Sequence, residues 1–114
     1  MIQIYHNPRC GKSRACLALV QTKYKNIEVI LYLQNPLTVQ ELQVLLLKLN
    51  LEAKHLVRTK EKIWIEHYKN KNGSNLEIIE IITNNPILLE RPLVVIDDKA
   101  IIGRELENVA NFIK

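Results

Sequence analysis

The stretch IQIYHNPRCGKSRACLALVQTKYKNIEVILYLQNP, residues 2–36, decides the fold. Ile2, Ile4 and Tyr5 make a short β-prone run that stops at Asn7-Pro8, because proline has no amide hydrogen to give to a ladder and Asn-Pro favours a turn. From Ser13 onward Cys16, Leu17, Leu19 and Val20 suit one face of a helix. Ile27–Leu33 then returns to β-rich residues and is bounded by Asn35-Pro36. Strand, turn, helix and strand of these lengths form a βαβ unit, with parallel strands and a right-handed crossover.

Downstream, Thr38-Val-Gln-Glu41 is a capping box, followed by Leu42, Leu45, Leu46 and Leu49 at helical spacing. Ser74-Asn-Leu-Glu77 repeats the device before Ile78, Ile79, Ile81 and Ile82, which predicts another helix despite the β-branched side chains. The intervening Leu51–Lys71 reads as one or two short helices carrying Arg58 and Trp64, ended by Asn72-Gly73. Leu93–Ile96 and Ala100–Ile102 are short apolar strands joined by Asp97-Asp98-Lys99 as an antiparallel hairpin, and Glu105–Lys114 closes the chain as a helix. The expected architecture is one α/β domain over residues 1–114, ordered β-α-β, a helical insertion at about 38–85, then β-β-α. That order gives a four-stranded mixed sheet flanked by helices.

Length and composition agree with a single small globule. The chain has 114 residues, 47% of them hydrophobic and 25% charged, which is the balance of a chain that folds around its own core. No apolar run reaches membrane-spanning length, and Met1 leads into Ile2–Tyr5 without a basic region or a hydrophobic segment, so a cytoplasmic protein with no membrane partner is expected. Two cysteines are too few for a disulfide scaffold and are judged as individual thiols. The net charge of +4 comes from scattered lysines, which argues against a nucleic-acid partner while favouring small anions.

Cys10 is the candidate nucleophile. Cys10-Gly-Lys-Ser13 lies where a strand hands over to a helix, so the sulfur should sit near unpaired amides and the positive end of the helix dipole. Such settings bring a thiol from about 8.5 down to roughly 3.5–7.5, and Arg9, Lys12 and Arg14 should push the same way, as would a protonated His6. Cys16, six residues on, should face the core and serve packing, and its spacing from Cys10 matches no common zinc pair, so no metal is expected. His6 is open between general base and a residue that hydrogen-bonds the loop; His55 and His67 carry no signal. Arg58, Arg91 and Arg104 would make an oxyanion site if the fold gathered them, since guanidinium forks suit tetrahedral oxyanions. Arg91-Pro92 precedes a strand where a cis proline opposite the nucleophile is expected, and Gly103-Arg104 places a cation at the same strand-end side.

These motifs resemble the arsenate reductase family with a thioredoxin-like fold, the branch coupled to glutathione and glutaredoxin. The resemblance covers nearly the whole chain and rests on Ile4-Tyr-His-Asn-Pro-Arg-Cys-Gly-Lys-Ser-Arg14, Leu31-Tyr-Leu-Gln-Asn-Pro36, Leu56-Val-Arg58, Asn85-Pro-Ile-Leu-Leu-Glu-Arg-Pro-Leu-Val-Val95 and Ile102-Gly-Arg104. It implies that Cys10 attacks the arsenic of arsenate and that Arg58, Arg91 and Arg104 bind the oxyanion and the arsenylated thiol. It further implies that His6 and Asn7 hold and activate the thiolate, with Ser13, Arg14 and Pro92 as structural neighbours of the site. Glutathione as co-substrate and glutaredoxin would complete reduction to arsenite, with no bound cofactor. Two residues depart from the pattern: Lys12 stands where the best characterised reductases have Thr, and Arg9 where they have a small residue. Polymerase-binding regulators of the same superfamily carry a Cys-x-x-Cys pair, and here Ser13 replaces the second cysteine. The alternative is a related thiol reductase or redox-responsive binding protein without arsenate activity.

Overall fold

The first strand runs as the alternation demands. In the structure, a computed structural model that describes residues 2–69 and 73–114, β1 spans Ile2–Tyr5 with Ile2 and Ile4 buried. It pairs in parallel with β2 (Ile27–Ile30), Ile4 opposite Val29, and antiparallel with β3 (Leu93–Ile96), Ile4 opposite Val94. β4 (Lys99–Ile102) adds antiparallel to β3, giving the order β2-β1-β3-β4. The parallel crossover and the antiparallel end are both as expected, and the topology is thioredoxin-like.

The crossover helix α1 spans Gly11–Gln21, starting two residues before Ser13 because Cys10 already takes the extended N-cap conformation and its carbonyl accepts the Arg14 amide at 3.0 Å. Its buried positions Ser13, Cys16 and Val20 form one stripe. Cys16 and Val20 of that stripe, with Ile2, Ile4 and Val94 of the sheet and with Val109 and Ile113, make one hydrophobic core. Val109 belongs to α5 (Leu106–Phe112), which packs against α1, so both helices lie on the same sheet face. Strand β2 is shorter than the apolar run 27–33 predicts: the chain turns at Leu31, whose carbonyl accepts the amides of Gln34 and Asn35 at 3.0 Å, and Tyr32 is withdrawn fully from solvent. The hairpin loop is Asp97-Asp98 alone, with Asp97 in the left-handed region at φ 53 and Lys99 already in β4.

Two compact units divide the chain: residues 1–35 with 91–114, and Pro36–Glu90. The second is wider at both ends than the insertion expected at about 38–85. Both capping boxes form, Thr38 with Glu41 on α2 (Val39–Leu49) and Ser74 with Glu77 on α4 (Asn75–Asn84). Asn50 ends α2 at φ 56, a left-handed cap of the kind asparagine tolerates. Leu42, Leu45 and Leu46 of α2 and Ile78, Ile79 and Ile82 of α4 are buried, and the two helices pack together. Tertiary packing thus holds an isoleucine-rich helix that propensity alone disfavours. Between them lie a 3₁₀ turn at Ala53–Leu56 and α3 (Lys62–His67), with Arg58 on neither. A further 3₁₀ turn at Pro86–Leu88 has no counterpart among the sequence-based expectations. The expected stop at Asn72-Gly73 falls partly outside the described residues. Among the described residues no helix is long and apolar enough to cross a membrane.

Candidate active site around Cys10

The loop from β1 to α1 is built by its own short polar side chains. Asn7 Oδ1 accepts the Arg9 amide at 3.0 Å and the Asn7 carbonyl accepts the Cys10 amide at 3.0 Å, so the loop turns at once into the helix. Ser13, fully buried on the first turn of α1, accepts the Asn7 amide at 3.1 Å through its hydroxyl oxygen and lies 2.6 Å from His6 Nδ1. Ser13 Oγ, with one O–H to give and two lone pairs, thereby joins the Asn7 amide and the His6 ring. Burial, followed by the charge of Arg14, pushes the His6 pKa below its ordinary value, which keeps the ring neutral at neutral pH. His6 therefore sits here as a neutral ring that ties the loop to the helix and adds no positive charge beside the thiol. Arg14 folds back over the loop, its Nη1 donating to the Pro8 carbonyl at 2.9 Å.

Cys10 is the half-buried N-cap of α1. Burial alone would raise its pKa; against it act the Ser13 amide, the Arg91 side chain, the Lys12 amide and the Arg91 charge, and the balance lowers the thiol below its ordinary range. The helix-terminal amides act as the sequence implies. The charge comes from Arg91, more than eighty residues along the chain and nearly buried at 8% exposure, in place of the adjacent cations Arg9, Lys12 and Arg14. Arg91 reaches Cys10 from a position just ahead of β3, which pairs with β1; its peptide bond to Pro92 is cis.

Arg104 follows β4 and comes to the same place: its Nη1 donates to the Arg91 carbonyl at 3.0 Å, while the Gly103 amide donates to the Pro92 carbonyl at 2.7 Å. Gly103 has no left-handed backbone; what demands glycine is space, since a Cβ there would lie 2.9 Å from Cys16 Sγ and 3.3 Å from both Pro92 Cγ and Val109 Cγ2. Cys16 is fully buried, and burial pushes its thiol up to about 11, as an inert core sulfur requires.

His6, Asn7, Cys10, Ser13, Arg14, Arg91, Pro92 and Arg104 are thus drawn into one unit. Arg58 belongs to the other. Its amide donates to the Leu88 carbonyl at 2.8 Å and its Nε pairs with Glu61 Oε2 at 3.0 Å, so its guanidinium has a carboxylate partner that the sequence reading did not assign. The i,i+3 spacing of Arg58 and Glu61 was the available signal. The hold of Arg104 on the Arg91 carbonyl and the contact of Gly103 with Cys16 had no local signal at all. Among the described residues no three His, Cys, Asp or Glu side chains cluster as metal ligands would.

Comparison with known proteins places these features in context. The model of the ArsC family matches residues 5–112. An arsenate reductase of Neisseria meningitidis serogroup A is 41% identical over 110 residues, covering 95% of this chain and 94% of that protein. The uncharacterised Escherichia coli protein YfgD is 40% identical over 114 residues, covering 98% and 96%. Among solved structures, an arsenate reductase from Vibrio cholerae superposes with a TM-score of 0.90 at 36% identity, covering 96% of this chain and 95% of that one.

Proposed function

This chain belongs to the ArsC family, and from that premise we propose that it reduces arsenate to arsenite with Cys10 as the nucleophile. The observation that carries the reading is a half-buried thiol at a helix N-terminus, made acidic by two backbone amides and by the nearly buried Arg91. A thiolate so placed is nucleophilic at neutral pH, and the guanidinium that stabilises it is also suited to an incoming oxyanion. Cys10 Sγ forms a bond to arsenic as an arsenate oxygen leaves as water. Arg91 binds the remaining oxygens in this scheme, with Arg104 and Arg58 as the other two guanidinium groups. A first glutathione thiolate then adds to the arsenylated cysteine. Two electrons pass from sulfur to arsenic, arsenic(V) leaves as arsenic(III), and the two sulfurs that supplied them end as a mixed disulfide, which glutaredoxin and further glutathione reduce.

Three features support a single working cysteine: Cys16 is buried, its thiol is raised, and it packs beneath Gly103. The test is arsenate-dependent NADPH consumption with glutathione, glutaredoxin and glutathione reductase. Wild type and Cys16→Ser should turn over, Cys10→Ser should be inactive, and Arg91→Ala should lose oxyanion turnover at every pH, while its thiol–disulfide exchange is slowed near neutral pH and recovers as pH rises. A silent wild type would overturn the arsenate reading and favour a related thiol reductase or redox-responsive binding protein.

A further inference from the structure

We infer that Arg104 is a positioning residue, which sets Arg91 against Cys10 by clasping the carbonyl of Arg91 just ahead of the cis-proline peptide. The inference rests on Cys10 being the nucleophile and not on arsenate being its substrate.

The geometry is a two-point clasp. Two successive residues after β4 donate to two successive carbonyls before β3: the Gly103 amide to Pro92 at 2.7 Å and Arg104 Nη1 to Arg91 at 3.0 Å. Strand pairing fixes the baseline of the clasp, since Leu93 lies opposite Ile102 on one side and opposite Tyr5 on the other. Pro92 has no amide hydrogen to add to that ladder, so the Arg91-Pro92 segment is oriented by what its carbonyls accept. The Arg91 side chain, 8% exposed, leaves this clasped backbone and reaches the Cys10 sulfur. Of the charged or titratable groups on the β1–α1 loop and α1, His6 is held neutral against Ser13 and Arg14 turns its guanidinium to the Pro8 carbonyl, while Arg9 and Lys12 are exposed. The side-chain hydrogen bond and the charge that act on the thiol are those of Arg91.

An anion-binding arginine and a positioning arginine differ in one readout. The first matters when an oxyanion is present. The second also governs the free thiol, and its effect there passes through Arg91. The experiment is the pH profile of Cys10 alkylation by iodoacetamide on the full chain, with no oxyanion, read by mass mapping of the Cys10 peptide. Arg104→Met should slow alkylation about threefold to tenfold at pH values below the thiol midpoint, leaving the high-pH limit unchanged. Arg104→Lys, which keeps a donor for the carbonyl, should recover most of the loss. In an Arg91→Met background Arg104→Met should change nothing further.

An unchanged profile in Arg104→Met, or an equal loss with Arg91 already removed, overturns the inference. A wild-type profile in the ordinary thiol range would sink both the nucleophile reading and the clasp, whereas absent arsenate turnover with the expected profiles would sink only the substrate. Should Arg104→Met fail to fold, NMR of the wild-type guanidinium decides: restricted rotation at Arg104 is expected, and free rotation overturns the clasp.

Discussion

Gly103→Ala tests the packing that joins the core to the candidate site. An open glycine with ordinary backbone angles would gain about 0.4–1 kcal/mol from the substitution, through the unfolded chain. Gly103 has ordinary angles but no room: the new Cβ would meet Cys16 Sγ at 2.9 Å, against about 3.5–4 Å for a relaxed contact, with Pro92 and Val109 at 3.3 Å. All three neighbours are fully buried, so none can swing into solvent. Overpacking of this kind costs about 1–3 kcal/mol, which for a chain of 114 residues lowers Tm by roughly 4–12 °C. Thermal and urea denaturation followed by far-UV circular dichroism measure it. Cys16→Ala removes the sulfur and should itself cost about 1 kcal/mol, yet combined with Gly103→Ala it should recover about 1–2 kcal/mol, because the added methyl fills the space the sulfur leaves. A single variant as stable as wild type, or a strictly additive cycle, would refute the argument from space.

Cys10 should be alkylated at lower pH than an ordinary thiol, with the rate falling as pH drops through its lowered midpoint, while Cys16 stays unlabelled at pH 8 in the folded chain. Labelling of both at equal rates would contradict their environments. The raised Cys16 thiol binds its proton more tightly folded than unfolded, so its contribution to stability, complete below the ordinary thiol value, should be lost as pH climbs toward about 11; Cys16→Ala should remove that alkaline slope in urea midpoints. Ser13→Ala leaves the buried Asn7 amide and His6 Nδ1 without the oxygen they share, for an expected loss of about 1–3 kcal/mol and slower Cys10 alkylation. Thr38→Ala and Ser74→Ala should each cost about 1 kcal/mol through the lost helix cap, and a Tm unchanged in both would contradict the capping boxes.

Much of this chain is legible because its signals are local. Thr38 and Glu41, or Ser74 and Glu77, meet within one helical turn, so their spacing alone specifies the bonds they make. The thiol at a strand-to-helix junction is equally local, since the amides that favour its thiolate belong to Lys12 and Ser13. Where a local signal misleads, tertiary demands explain it. The apolar run 27–33 promises a longer strand, but β1 offers partners only from Ile2 to Tyr5, and β2 accordingly ends at Ile30. Arg9, Lys12 and Arg14 are adjacent in sequence to Cys10, yet all three are exposed, where water screens their charge, while the distant and nearly buried Arg91 acts on the sulfur.

The sequence by itself determined the βαβ start, the antiparallel end, the capped helices between them and the choice of Cys10 over Cys16, because each follows from periodicity or from neighbours a few residues apart; the cis peptide at Pro92 was expected only through the resemblance and the topology. Only the tertiary structure decided which arginine lowers the thiol, why Gly103 has no side chain, and where Arg104 spends a hydrogen bond. Those depend on β3 lying between β1 and β4, which brings residues from three separated segments to one end of the sheet, and no spacing along the chain encodes such an encounter.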